Sequence, residues 1–348
     1  MLPECVLGHG RRFRSGPPRR LPGRRGAARA TVAADSGGTR GRSAVAAEQQ
    51  IPGESRTVDL DGPVHYVDFG GPDGGPRVVL VHGLGGSHLN WDTFAPLLLP
   101  HARVLAIDLP GFGRSEPGGR RATVHANVEV LHRFLQEVAG EPAVLVGNSM
   151  GGMISILEQA AHPEAVRGLV LLDPAIPGPR RALDPLVAVT FALYAMPVVG
   201  ERFLWLRRAR QTPLQRVREM LRLVGVDPDT LPSAVIDRSV VLLEEREDHA
   251  GMDRAYLAAA RSLLAQLADP RRYRRAMERV GGPVLLVHGD LDRLIPVQAA
   301  RDVARRHPDW RYVEMEGVGH VPQLQCPERL AAEVLPWLAG LAEARAGA

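Results

Sequence analysis

The stretch Ala143-Val144-Leu145-Val146-Gly147-Asn148-Ser149-Met150-Gly151 decides how the rest of this chain reads. Its first four residues form a short apolar run, the signature of a strand buried on both faces. Beyond it, Met153-Ile154-Ser155-Ile156-Leu157-Glu158-Gln159-Ala160 can continue as a helix. Between the two, Gly147 to Gly151 has the spacing G-x-S-x-G. A strand-to-helix turn this sharp needs glycine where a Cβ would clash, and it lifts a serine Oγ clear of the sheet edge. Five residues of this kind recur by chance in a Gly- and Ser-containing chain. The reading therefore rests on the strand–turn–helix context, and on whether a histidine, an acid and backbone donors follow in the right order.

Working outward, the same rhythm repeats. Arg56–Leu60 and Val64–Phe69 alternate at period two around Asp61-Gly62-Pro63, which predicts a hairpin. Val78–Val81, Val104–Ile107 and Leu169–Leu172 are further buried-strand runs, with a helix predicted over Thr123–Ala139. Strands alternating with helices predict an α/β fold with a parallel, doubly wound sheet. From Pro174 to about Met277 the alternation stops, and the chain turns helical with breaks at Pro197, Gly225–Pro228 and Pro232. Pro283–Val287 resumes it, followed by helix Val297–Arg306, strand Arg311–Met315 and helix Glu328–Leu338. The expected organisation is a tail over 1–50, a core over 51–173 and 278–348, and an inserted helical cap over 174–277.

The 348 residues suffice for one large domain with an insertion, and 45% hydrophobic with 24% charged residues is a globular composition. All 43 basic residues are Arg. With abundant Ala, Gly and Pro, that points to a GC-rich, bacterial coding sequence. The net charge of +4 is misleading, because residues 1–50 hold ten Arg against Glu4, Asp35 and Glu48. The body is mildly acidic, which argues against a nucleic-acid partner. The tail, rich in Arg, Gly and Pro, is expected to be disordered. Arg11-Arg12-Phe13 resembles a twin-arginine signal, but no apolar region follows it. No apolar stretch is long enough for an integral membrane segment, and a cytoplasmic location is expected. Cys5 and Cys326 make no disulfide framework, and Cys326 reads as a packed thiol.

Three further loops carry chemistry. His82-Gly83-Leu84-Gly85-Gly86 follows the strand Val78–Val81 directly. Its glycines let backbone N–H groups approach a developing oxyanion, with Leu84 the preferred donor and Gly85 its rival. The second donor is Met150, the residue after the serine. His288-Gly289-Asp290-Leu291-Asp292 ends a strand, where an acid can orient a histidine ring. Asp292 is the preferred acid, Asp290 the near alternative, and Asp173 a distant one that reads as a strand-end turn before Pro174. Gly317-Val318-Gly319-His320 places a histidine on a loop freed by glycines after the last strand.

The order Ser149, Asp292, His320 resembles the catalytic triad of the α/β-hydrolase superfamily, in its branch of small bacterial esterases, carbon–carbon bond hydrolases and lactonases with a helical cap. The resemblance spans about residues 55–345. It includes Asp108-Leu109-Pro110-Gly111-Phe112-Gly113-Arg114-Ser115, similar to a fold-marking loop of that superfamily. It implies a mostly parallel, doubly wound, eight-stranded sheet, and no metal or organic cofactor. Ser149 stands where similar epoxide hydrolases and haloalkane dehalogenases carry Asp, so neither of those chemistries is implied. No zinc-type His/Cys spacing, phosphate loop or dinucleotide fingerprint is present in the sequence.

The expected reaction is ester hydrolysis through an acyl-enzyme, on a small and apolar substrate. Carbon–carbon bond hydrolysis, lactone hydrolysis and a non-catalytic binding role are the alternatives, and a perhydrolase side activity is compatible with the same residues. Leu186–Met196 is apolar on nearly every face, and Phe203-Leu204-Trp205-Leu206 follows. These segments read either as cap core or as the wall of an acyl pocket, with Arg207, Arg208 and Arg210 on its rim or on a solvated helix face.

Overall fold

Every run read above as a strand is one. In the computed structural model these are β1 (Glu54–Asp59), β2 (Pro63–Gly70), β3 (Arg77–Val81), β4 (Arg103–Ile107), β5 (Ala143–Asn148), β6 (Val166–Leu172), β7 (Val284–Gly289) and β8 (Arg311–Met315). The structure describes residues 53–140, 142–178, 184–247 and 249–346. The expectations for the tail lie outside these residues. Among them, eight strands make one sheet in the order β1-β2-β4-β3-β5-β6-β7-β8. The β1–β2 hairpin and the β2–β4 pair are antiparallel, and every other pairing is parallel.

Side chains alternate across the sheet, as the strand period requires. Val79, Val81, Leu145, Leu171 and Leu286 join one buried cluster, and Val78, Leu80, Val144, Val170 and Leu285 join another. The first cluster includes residues of α1 (Val124–Phe134) and α2 (Met150–Ala161), the helix after the elbow. Burial on both faces explains why these strands read as unbroken apolar runs.

Between β6 and β7 lies the helical insertion. It contains α3 (Pro185–Ala195), α4 (Val199–Arg210), α5 (Pro213–Leu223), α6 (Ser233–Glu247) and α7 (Met252–Ala268). Local chemistry sets its ends. Asp184 caps α3 by accepting from the N–H groups of Leu186 and Val187, with Pro185 in the first turn. Thr212 and Gln215 form a reciprocal capping box on α5. The next helix, α8 (Arg271–Glu278), packs against α2, and its Tyr273 and Met277 join the first sheet cluster. Two further long helices, α9 (Val297–Arg306) and α10 (Pro327–Ala346), flank β8 in the chain.

The chain runs from β3 outward to β4, then returns to place β5 on the other side of β3. Such a reversal opens a crevice at the carboxyl ends of the two central strands. The Gly83 loop and the Ser149 elbow both start there.

Candidate active site

Ser149 sits at φ 54°, ψ −117°, a conformation that is rare for a residue with a side chain. The surroundings hold it. Its N–H donates to Leu172 O at 3.0 Å, and its carbonyl accepts from Ala175 at 2.9 Å. The flanking glycines are obligatory. A Cβ on Gly151 would lie 2.0 Å from Val81 O, and one on Gly147 would lie 2.6 Å from Gly151 O. The strain at Ser149 is thus over-determined by backbone packing on both sides, the condition under which strain persists at functional sites.

Met150 is the first residue of α2, so its N–H has no carbonyl within the helix to bond and sits at the positive end of the helix dipole. Opposite, Gly83 to Gly86 form a turn closed by Gly86 N–H to Gly83 O at 3.1 Å, with Gly85 at φ 78°. Left-handed φ at the third position marks a type II turn, which explains the glycine there. The closing bond does not use the N–H groups of Leu84 or Gly85. The turn abuts the elbow closely: a Cβ on Gly83 would be 3.0 Å from Ser149 Cβ. His82 anchors this loop. Its Nε2 accepts from Leu109 N–H at 3.0 Å, so its Nδ1 carries the proton donated to Gly83 O at 2.8 Å. Burial pushes the His82 ring down to about 4 and keeps it neutral.

His320 Nδ1 lies 2.7 Å from Asp292 Oδ2, with both groups buried. The other Asp292 oxygen accepts from Leu294 and Ile295 N–H at 2.8 and 3.0 Å. Burial opposes the charge on Asp292, but the His320 ring and these donors outweigh it and hold the carboxyl below its usual range. Asp290 turns elsewhere and accepts from the N–H groups of Gly317 and Val318 at 2.7 and 3.3 Å. It shapes the histidine loop, and Asp292 is the acid that meets the ring.

Asp173 is indeed at a strand end, at φ 43°, but its carboxylate is not idle. It is fully buried, accepts from Gly289 N–H at 2.8 Å, and gathers with His288 and Asp292 behind the histidine. Burial and the neighbouring Asp292 charge push it well above the carboxylate range. Sequence reading also missed Asn148. Its amide donates to Leu172 O and to His320 O, each at 3.0 Å, and so ties elbow to histidine loop. Two other groups of histidines and carboxylates converge without any spacing that announces them: His65, His88 and Asp108, and His132, Glu158 and His162. Each contains hydrogen bonds of its own, with both His65 and His88 on Asp108 at 2.8 Å, and His132 on Glu158 at 2.8 Å. Cys326 is partly buried, and burial pushes its thiol up, as for a packed cysteine.

Ser149, His320 and the Leu84 turn border one cavity of about 350 Å³, roofed by the insertion. Its walls are largely apolar: Ile176, Val187, Phe191, Met220, Leu263 and Ile295. An insertion residue also reaches the site's backbone, since His320 N–H donates to Val224 O at 3.0 Å.

A serine on a strained elbow, sharing one cavity with an acid-oriented histidine at the switch point of a doubly wound sheet, defines a class of fold and site together. The chain belongs to the alpha/beta hydrolase fold family, whose model matches residues 76–327. It is 30% identical over 261 residues to a pimeloyl-[acyl-carrier protein] methyl ester esterase of Aromatoleum aromaticum, covering 74% of this chain and 95% of that one. It is 27% identical over 282 residues to a 2-hydroxy-6-oxononadienedioate/2-hydroxy-6-oxononatrienedioate hydrolase of Paraburkholderia phymatum, covering 79% of this chain and 90% of that one. Among solved structures, a haloalkane dehalogenase loop variant from Bradyrhizobium elkanii superposes with TM-score 0.69 at 21% identity, over 84% of this chain and 99% of that one. At that identity the likeness concerns the fold alone.

Proposed function

We propose that this protein is a serine hydrolase that cleaves carboxylic esters of small, apolar acyl groups through an acyl-enzyme. The observation that carries this reading is that His320, with Asp292 behind it at 2.7 Å, shares one apolar cavity with Ser149. Because Nδ1 faces Asp292, Nε2 is the nitrogen left to take the Ser149 proton as Oγ attacks the carbonyl. The imidazolium so formed is stabilised by Asp292 and then protonates the leaving alcohol. The N–H groups of Met150 and Leu84 receive the oxyanion. Water then attacks the acyl carbon and gives a proton to His320, which returns it to Ser149 Oγ as the ester bond to the serine breaks and the acid leaves. Similarity to an esterase at 30% identity supports the bond type. Ser149→Ala should lower p-nitrophenyl ester hydrolysis on the order of 10⁵-fold and abolish fluorophosphonate labelling, with the fold intact. Wild-type rates in that variant would sink the mechanism.

A second reading, carbon–carbon bond hydrolysis of a dienoic ring-fission product, is favoured by one observation. Arg246 borders an adjoining cavity of about 230 Å³. Its guanidinium reaches Gly111 O at 3.4 Å, and no carboxylate of the described residues lies within ion-pair distance. Burial pulls its pKa below the guanidinium range. A cation so placed suits a substrate carboxylate, and the Paraburkholderia relative's name is that of a dienedioate hydrolase. Turnover of a vinylogous diketone acid without ester turnover would select this reading.

A further inference from the structure

Helix α3 breaks the usual rule for helices at a surface. Such helices carry one apolar stripe and one polar face, and a helix apolar all round is normally buried. From Pro185 to Gly200 the chain has no charged residue. Val187, Ala188 and Phe191 of α3 line the cavity at Ser149. On the other side of the same helix, Leu186 and Val189 are each 59% exposed. Further apolar side chains are exposed at the bend, with Val198 at 69%, and on α4, with Trp205 at 63%. Val198 is held there at φ 67°, a costly conformation for a β-branched residue. Water is a poor solvent for so many large apolar side chains on one bent helix pair, and apolar surface of this kind marks interaction sites.

The occupant can be argued from shape and charge. Helices α3 and α4 together have the apolar composition of a membrane segment, but they are bent by 113° at their break, and no single helix among the described residues is long and apolar enough to cross a bilayer. A bent pair lying flat fits a surface, not a span. Arg202 is exposed on α4 about one turn before Trp205 and Arg210 is exposed at the helix's end, and neither has a carboxylate partner among the described residues. Basic side chains flanking an exposed tryptophan match an interface between anionic headgroups and acyl chains.

We propose that the outer face of α3 and α4 docks on the surface of an anionic phospholipid bilayer. Helix α3 is then apolar all round because it has two apolar neighbours, the cavity on one side and lipid on the other. Docking needs no catalytic step, so its test stands apart from the ester-hydrolase reading.

The test uses the full chain and phosphatidylglycerol vesicles. Trp91 and Trp310 are buried and Trp337 is partly buried, so Trp205 is the tryptophan whose emission should shift to the blue on docking. Trp205→Phe should abolish the shift while the protein still sediments with vesicles. Leu186→Ser/Val189→Ser/Val198→Ser should weaken sedimentation at least about tenfold without lowering Tm, since three side chains lose apolar contact with lipid. Arg202→Gln/Arg210→Gln should weaken it about tenfold. No sedimentation, sedimentation without a Trp205 shift, or full binding by the triple serine variant would overturn the proposal. The last two would assign binding to other residues, such as the arginines of 1–50. A concentration-dependent dimer that the triple variant abolishes, with no vesicle binding, would also overturn it and make the face a contact between copies.

Discussion

The sheet and its helical insertion hold their halves of the site by different physics. On the sheet side, position is enforced by backbone: Ser149 N–H on Leu172 O, Asp292 on two N–H groups, Asn148 on two carbonyls, and glycines that admit no Cβ. On the insertion side, the cavity is walled by Val187, Phe191, Met220 and Leu263, which present shape and little directional bonding. Hydrogen bonds and close contacts fail steeply when displaced, whereas apolar walls can be repacked for modest cost. Changes on the sheet side should therefore strike the chemical step and the fold. Changes in the insertion should redistribute which substrates fit.

The largest test of that contrast is Asp292→Asn. The amide keeps the shape, but it can present N–H to His320 Nδ1 and so favour the wrong tautomer. kcat for a p-nitrophenyl ester should fall about 10⁴-fold with KM little changed. A drop of less than about tenfold would transfer the acid's role to Asp173, which gathers with Asp292 behind the histidine.

Gly151→Ala comes next. The new Cβ would meet Val81 O of the neighbouring strand at 2.0 Å, and strand backbone cannot move aside as a side chain would. Urea unfolding should show a loss of at least about 3 kcal/mol. An unchanged midpoint would mean that the elbow is more plastic than its hydrogen bonds imply.

These sites were legible because backbone constraints leave marks in sequence. Gly147, Gly151 and Gly85 stand where geometry tolerates nothing else, and both-face burial turns β3 to β7 into apolar runs. The order of Ser149, Asp292 and His320 could be read for the same reason, since each follows a strand. Asn148 was not legible, because its role depends on two carbonyls 24 and 172 residues away. Nor was the company of Asp173, whose turn position was apparent but whose buried neighbours come from another strand end. The two-sided placement of α3, cavity on one side and solvent on the other, was legible only as an ambiguity. Its uniform apolarity fits a core or a pocket wall equally, and the helix is half exposed.

The pH dependence of stability offers a smaller effect on the sheet side. Burial lowers His82 to about 4 in the folded protein, against roughly 6.5 when unfolded. Between these values the unfolded chain binds the extra proton. His82 therefore leaves stability undiminished above about pH 6.5 and draws it down as pH falls to 4, by about 3 kcal/mol. His82→Gln should flatten this part of the profile, whatever its effect at pH 7. Parallel wild-type and variant profiles from pH 7 to 4 would show that the loop opens to water before the fold does.

The smallest expected effect isolates the insertion. Phe191 lines the cavity and packs edge-on to Tyr194, with ring centroids 6.0 Å apart, and its apolar ring makes no hydrogen bond to Ser149, Asp292 or His320. Phe191→Ala should remove apolar contact with a longer acyl chain and leave the reacting atoms where they are. For p-nitrophenyl octanoate KM should rise about five- to tenfold, roughly the loss of one partly buried contact of 1 to 1.5 kcal/mol. For the acetate, KM and kcat should stay within about twofold. The insertion does touch the backbone of His320 through Val224 O, which gives the two halves a route for coupling. If kcat for acetate falls in step with octanoate, strain has passed along that route, and the wall helps to aim His320 as well as to select the acyl group.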